Sequence, residues 1–346
     1  MWNFFSSFIF LPVIFSIICL SNNVKLLSSH DRRNMIRRSL KSNTTQTSIS
    51  YKLNTWSKYN NPEEGMHHEG DIQIVNTRKT ITSFKELLWP NGIVYYTIDE
   101  AIENSPQQFS VLQKAMMILM EKTCIQFQRI YPDENGQYSV ESWVNIVGNK
   151  SGCYSDLGRN LFGGPSVLNL NLNLCFGIVG HALHEMLHTL GAYHEHMRPD
   201  RDQHIYILWE NIREGTKFNF ELLDANTVTD YGLPYDYDSI MHYSMTAFSK
   251  SKYLATIIPK INGMEIGQRD RLSYYDVKKL LITYECSAIY YHKNERLYKD
   301  KYNRIELESS NQMNNITGVH EIINNTTNSI TEVGLIIHPA STTTRK

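Results

Sequence analysis

The stretch His181-Ala182-Leu183-His184-Glu185-Met186-Leu187-His188-Thr189-Leu190-Gly191-Ala192-Tyr193-His194-Glu195-His196-Met197-Arg198-Pro199-Asp200-Arg201-Asp202 decides how this chain is read. At its centre lies H-E-x-x-H-x-x-G-x-x-H, residues 184–194. His184 and His188 are one helical turn apart, so their rings share a face. Two neutral imidazoles so placed hold one Zn²⁺ at roughly 2.0–2.1 Å. Gly191 tolerates positive φ and can end the helix and turn the chain, which lets His194 supply a third nitrogen. Three protein nitrogens leave a position for water, the mark of a catalytic rather than a structural site. Glu185 stands beside the first ligand, where it can take that water's proton. Leu183, Leu187 and Leu190 recur at helical spacing, so the same helix also has a core face. The competing reading, a core helix with chance histidines, fails on the correctly spaced Gly191 and His194.

The longer run, with Glu195 directly after the third histidine and then Arg198, Asp200, Arg201 and Asp202, resembles the astacin family of zinc endopeptidases within the metzincins. The resemblance implies an α+β catalytic domain of two subdomains, with a twisted mixed β-sheet, a zinc helix and a cleft between the halves. It implies one Zn²⁺ on His184, His188 and His194, with Glu185 as general base and acid. Ser239-Ile240-Met241-His242-Tyr243 resembles the family's Met-turn. There Met241 would underlie the three imidazoles, and Tyr243 would be a movable fifth ligand that also donates to the oxyanion; His242 matches no ligand position. Glu195 would bind, through water, the terminal ammonium freed by processing.

Composition sets the outer bounds. The chain has 346 residues, 41% hydrophobic and 20% charged, with a formal net charge of −1. That balance points to neither nucleic acid nor an anionic membrane as partner. Phe4 to Leu20 is almost wholly apolar and reads as a signal-peptide core, with Cys19-Leu20-Ser21 as its cleavage region. Its flank lacks Lys and Arg, and a membrane anchor is the alternative; Pro12 and the short span speak against it. Beyond it, Cys124, Cys153, Cys175 and Cys286 suit two disulfides in a secreted chain, and spacing leaves three pairings open. The resemblance implies Cys124–Cys286 and Cys153–Cys175, contributing about 5 and about 3 kcal/mol by loop entropy.

Residues 22–79 are polar and without sustained periodicity, as expected of a propeptide. They contain His67-His68-Glu69-Gly70-Asp71, similar to the family's Phe-x-Gly-Asp, in which the aspartate binds zinc in the latent precursor. Asp71 and Gly70 match, while His68 stands where phenylalanine is expected. Arg78-Lys79 is a dibasic pair, and Trp89-Pro90-Asn91-Gly92 resembles the start of the family's catalytic domains. Both cues meet at a cut between Lys79 and Thr80. The expected organisation is a signal peptide over 1–21, a propeptide over 22–79, a catalytic domain over 80–286 and a low-complexity tail over 287–346.

Within the catalytic part, Ile93–Ile98 and Trp143–Val147 read as strands. Tyr95 replaces the proline usual in the family. Pro106–Phe127 reads as a helix from its apolar spacing, as does a segment from Trp209 to about Leu223. Residues 151–155 and 167–170 flank the Gly163-Gly164 turn, and in the family the stretch around Cys153 pairs with extended substrate. Ser273 is a candidate N-cap for a last helix over Tyr274–Tyr284. In some members of the family an arginine in this region lines the pocket that takes the residue just after the scissile bond; by that resemblance Arg269 is the candidate, which would favour acidic side chains, and a solvated surface arginine is the alternative. Asn43, Asn149, Asn315, Asn324 and Asn325 begin glycosylation triplets. The tail has no cysteine, which excludes cysteine-stapled modules within it. The function expected is that of a secreted, monomeric zinc endopeptidase acting on proteins or peptides bound extended along the cleft. An inactive binding or decoy protein on the same fold is the alternative, but no histidine of the motif is lost, nor is Glu185.

Overall fold

The computed structural model describes residues 63–73, 84–225, 228–287 and 290. The signal-peptide, Lys79–Thr80 and tail readings lie outside them. All described residues belong to one compact unit, which ends at Tyr290.

The chain enters with a two-residue strand, β1 (Ile72–Gln73), then β2 (Ile93–Ile98), a one-turn helix α1 (Glu100–Glu103), α2 (Pro106–Lys122) and β3 (Gln126–Arg129). β4 (Ser142–Val147), β5 (Cys153–Asp156) and β6 (Gly164–Leu170) follow, and then α3 (Val179–Thr189). The six strands form one sheet in the order β1-β5-β6-β4-β2-β3. Every pairing is parallel except β5 with β6, so the sheet is mixed, as expected. β4 shows the two-residue alternation of a strand, with Val144 and Ile146 buried.

α3 packs on α2 and on β5 and is buried from Gly180 through Thr189. Burial of Leu183, Leu187 and Leu190 stabilises it by roughly 1.5–3 kcal/mol each. At its end the Leu190 and Gly191 amides bond back into the last turn, and Gly191 takes φ 93°. Trp89 is buried and its indole donates to the Thr189 carbonyl at 2.8 Å, which ties the start of the catalytic part to this helix.

The second half, from 191 on, is mostly irregular, with a β7 (Ile205–Ile207) and β8 (Ile257–Pro259) ribbon and α4 (Tyr274–Thr283). Ile205, Ile212, Phe220, Tyr243, Phe248 and Ile257 belong to its core. The metal site lies between this half and the sheet-and-α3 half, as a two-subdomain fold requires. Both expected disulfides are present, Cys124–Cys286 and Cys153–Cys175. The triplet asparagine Asn149 sits on an exposed bend.

Two expected helices are corrected. The second helix stops at Lys122, because Thr123 is extended and its hydroxyl bonds back to the Leu119 carbonyl. Cys124 is then tethered to Cys286, and Phe127 falls in β3 beside β2. Trp209–Leu223 is not an α-helix but two 3-10 turns, Trp209–Asn211 and Lys217–Phe220. Gly215 at φ 79° breaks the run, and the apolar residues serve to seat Ile212 and Phe220 in the core.

Ser273 caps α4 in a reciprocal box with Asp276. Asp276 also accepts from the Ser239 hydroxyl at 2.6 Å and from the Ile240 amide at 2.9 Å, so the cap holds the 239–243 turn. The Ser273 hydroxyl donates to Asp236, whose carboxyl burial pushes up to about 8, with Asp276 and Glu195 adding to the effect. A native pKa above the unfolded value of about 3.9 means the native state keeps a proton that the unfolded chain gives up. Asp236 therefore costs stability progressively as pH rises from about 4 to about 8. Thermal melts of Asp236→Asn, which has no such proton, should show a smaller fall in Tm between pH 5 and pH 8 than the parent chain.

Candidate metal centre and active site

Helix α3 places His184 and His188 side by side, and the turn after Gly191 brings His194 against them. The Nε2 atoms of His184 and His194 are 3.3 Å apart. Asp71 reaches the same point from the segment just before β1. Its Oδ2 is 3.1 Å from His184 Nε2, and its Oδ1 is 3.4 Å from both His188 Nε2 and His194 Nε2. A tetrahedral ion with bonds of roughly 2.0–2.1 Å sets its donors roughly 3.3–3.4 Å apart; three imidazole nitrogens and one carboxylate, with ligand atoms all within 4.8 Å of one another, make a donor set that suits zinc. His188 Nε2 and Asp71 Oδ1 are buried with no hydrogen-bond partner among the described residues, as befits atoms that face a cation.

The far nitrogen of each ring is also held. His184 Nδ1 donates to the Ile240 carbonyl at 2.8 Å, His188 Nδ1 to the Ala192 carbonyl at 2.7 Å, and His194 Nδ1 to Glu69 Oε2 at 2.9 Å. These bonds fix the tautomer, turn every Nε2 lone pair inward and make the rings better ligands. Burial drives His184 down to about 3, with Arg269 adding to it, which keeps that ring neutral. Burial also opposes a charge on His194, but the Asp71 and Glu69 carboxylates outweigh it and push this ring up to about 9. Burial would raise Asp71, yet His194 and His188 hold it well below the ordinary carboxyl value. A metal entering this site therefore displaces a proton.

The chain matches the family model described as Astacin, a family of peptidases, over residues 81–285. This chain belongs to the astacin family. It is 36% identical over 232 residues to bone morphogenetic protein 1 of Xenopus laevis, covering 66% of this chain and 31% of the relative. To zinc metalloproteinase nas-7 of Caenorhabditis elegans it is 39% identical over 199 residues, 58% of this chain and 48% of the other. It thus spans a third to a half of these relatives' length. Among solved structures it is similar to high choriolytic enzyme 1, a hatching enzyme zinc-protease from Oryzias latipes. That likeness has a TM-score of 0.52 and 32% identity, covering 61% of this chain and all of the other.

The remaining expected residues take these positions. Glu185 is fully buried on α3 beside the first ligand. Met241 is buried in the 239–243 turn, and its carbonyl accepts from the Glu195 amide at 3.0 Å. Tyr243 is stacked on His196 and close to His194, but its hydroxyl donates to the Glu69 carbonyl, so the N-terminal segment engages it here. Glu195 is buried and is not a metal ligand; it accepts from Arg198, from the Asp236 amide and from Lys279. A cavity of about 370 Å³ adjoins it, lined in part by Leu187, Tyr193, Met241 and Lys279. His242 is held by Tyr235 and by the Tyr243 carbonyl, away from the ligand set.

Arg269 is 1% exposed, which excludes the solvated-surface alternative, and its guanidinium grips the carboxylate of Glu63. The same N-terminal segment also adds β1 in parallel to β5, at the end of the sheet. There the Ser155 amide donates to the Asp71 carbonyl at 2.9 Å, and His67 lies against Tyr154. His68, at the expected phenylalanine position, has a 41% exposed side chain and pairs with Glu69 at 3.4 Å instead of filling an apolar pocket.

Sequence reasoning missed Glu63, Glu64 and Glu69 in the N-terminal segment and His181 and Lys279 further along the chain. A signal for the first group exists: four carboxylates within residues 63–71 of a segment that must lie on a histidine-rich cleft. Glu64 pairs with Arg213 at 2.9 Å, a contact between distant segments that no local pattern announces.

Atomic emission on purified chain should find close to one zinc per molecule. His188→Ala removes one of three nitrogens and should retain less than about a tenth of the metal after dialysis against a weak chelator.

Proposed function

We propose that this astacin-family chain is the latent precursor of a secreted zinc endopeptidase. The observation that carries the reading is the convergence of three imidazole nitrogens and the Asp71 carboxylate, with contacts of 3.1–3.4 Å among them, next to Glu185. His184, His188 and His194 would hold the ion, which when bound acidifies a water and polarises the scissile carbonyl.

The chain's own residues supply the remaining steps. The Glu185 carboxylate takes a proton from the attacking water and returns it to the nitrogen of the departing amine. Tyr243, once freed from the Glu69 carbonyl, donates to the oxygen that gains charge as the carbonyl becomes tetrahedral. Burial raises its phenol well above the ordinary value, with Asp71 adding to the effect, so it stays a donor at neutral pH. Met241 floors the ligand set. Substrate lies extended along the cleft and pairs with the β5 edge that β1 now covers. Arg269 receives an acidic side chain just after the scissile bond.

Latency follows from the same contacts. Asp71 would hold the donor position that water needs in the active form, and residues 63–73 cover the cleft. Cleavage between Lys79 and Thr80 would free this segment, and Glu195, now held by Lys279, would then anchor the new ammonium of Thr80. The four paired cysteines and the Phe4–Leu20 apolar run support export through a disulfide-forming compartment. The enzyme is expected to act as a monomer.

Glu185→Gln should keep full zinc occupancy and lose at least about a hundredfold in kcat/KM on a denatured protein substrate; an active variant would refute the assignment of the base. N-terminal sequencing of the active secreted form should begin at Thr80, and a start many residues away would overturn the proposed cut.

A further inference from the structure

One buried ionic group beside the metal centre is not explained by zinc binding. Glu63, 5% exposed, lies with its carboxylate between two cationic or donor side chains of the catalytic part. Arg269 Nε is 3.0 Å from both of its oxygens, and Arg269 Nη2 is 2.8 Å from Oε2. His181 Nδ1 lies 2.5 Å from Oε1. Both receptor side chains are almost fully buried.

The receptor is rigid. Arg269 Nη1 donates to the backbone carbonyls of His242 and Gln268 at 3.2 and 2.8 Å, which locks the guanidinium and turns its Nε–Nη2 edge toward the carboxylate. The Arg269 backbone lies so close to α3 that a β-carbon on Gly180 would sit 1.7 Å from its carbonyl oxygen. Only glycine allows that approach, and it brings Arg269 beside His181, the next residue. His181 in turn is one helical turn before His184, on the metal-binding side of α3. A buried guanidinium deprived of its counter-ion is costly, so departure of the propeptide leaves a preformed cradle that a second carboxylate would fill.

We propose that His181 and Arg269 together form a carboxylate-binding subsite, that Glu63 is its resident occupant in the precursor, and that His181 sets the acidic preference jointly with Arg269. The inference rests on the endopeptidase reading for its substrate side, and its ligand class is the side chain of Asp or Glu next to the scissile bond. On the precursor side it gives the propeptide a second anchor that does not touch the metal. The planar fork of Arg269 binds both oxygens, while His181 donates to the one nearer α3. Such two-sided capture discriminates against an amide, whose NH₂ would face a donor.

Two measurements test this. In the full-length chain, amide hydrogen exchange over residues 63–73 should speed up at least about tenfold in Glu63→Gln and in His181→Ala, as expected for breaking a buried charge-assisted contact. In active enzyme derived from the full chain, kcat/KM should favour a peptide with Glu after the scissile bond over its Gln counterpart by at least about tenfold. His181→Ala and Arg269→Ala should each bring that ratio toward one, whereas His181→Asn, which keeps a donor near Nδ1, should retain most of it. A purely structural role for His181 would lower both peptides together and leave the ratio intact, and that result overturns the proposal. So does unchanged exchange in Glu63→Gln. Failure to cleave either peptide would refute the peptidase reading, and the exchange result would then decide the subsite alone.

Discussion

Three imidazole lone pairs directed at one point cannot stand alone in a protein interior. Their Nε2 atoms are acceptors, two of them 3.3 Å apart, and each ring is turned inward by a hydrogen bond from its other nitrogen. Such a cluster is stable only around a cation, whether zinc or a proton. Much of the architecture serves that requirement. α3 is buried along almost its whole length so that two rings share a face. The cap of α4 steadies the 239–243 turn, whose Ile240 carbonyl orients His184. The Trp89 indole closes the end of α3.

Residues 63–73 exploit the same electrostatics. A cleft lined by imidazoles and buried guanidinium groups attracts carboxylates. Residues 63–71 present four of them. Asp71 faces the ligand nitrogens, Glu69 the back of His194, Glu63 the His181–Arg269 cradle and Glu64 the Arg213 guanidinium. Little apolar surface is needed for this grip: Ile72 is buried, whereas Met66 is 92% exposed. Residues 63–73 are thus held on the cleft mainly by charge and hydrogen bonding, contacts that water can also offer.

The position where His68 replaces an expected phenylalanine illustrates the trade. An aromatic there would anchor by burial; His68 instead stays partly in water and pairs with Glu69. The Glu69 hydrogen bond raises the pKa of His68 and outweighs burial, which acts to lower it. Glu69 then carries part of the anchoring, through His194 and through its carbonyl to Tyr243.

The metal ligands were legible from sequence because they are local. His184, Glu185, His188, Gly191 and His194 owe their geometry to helical periodicity and one turn, both functions of spacing. The β2 and β4 segments were legible from residue type and α2 from its apolar spacing, although the end of α2 was not, since a disulfide to a residue 162 positions away redirects the chain there. The 3-10 turns between 209 and 220 were misread as a helix because apolar spacing alone cannot tell packing against a core from helical continuity. What only the tertiary structure decided is which distant charges meet. Glu63 and Arg269 are 206 residues apart, and Glu195 and Lys279 are 84 apart. Those pairings arise from folding the chain on itself, and a buried charge finds its partner in space, not at a fixed offset along the sequence.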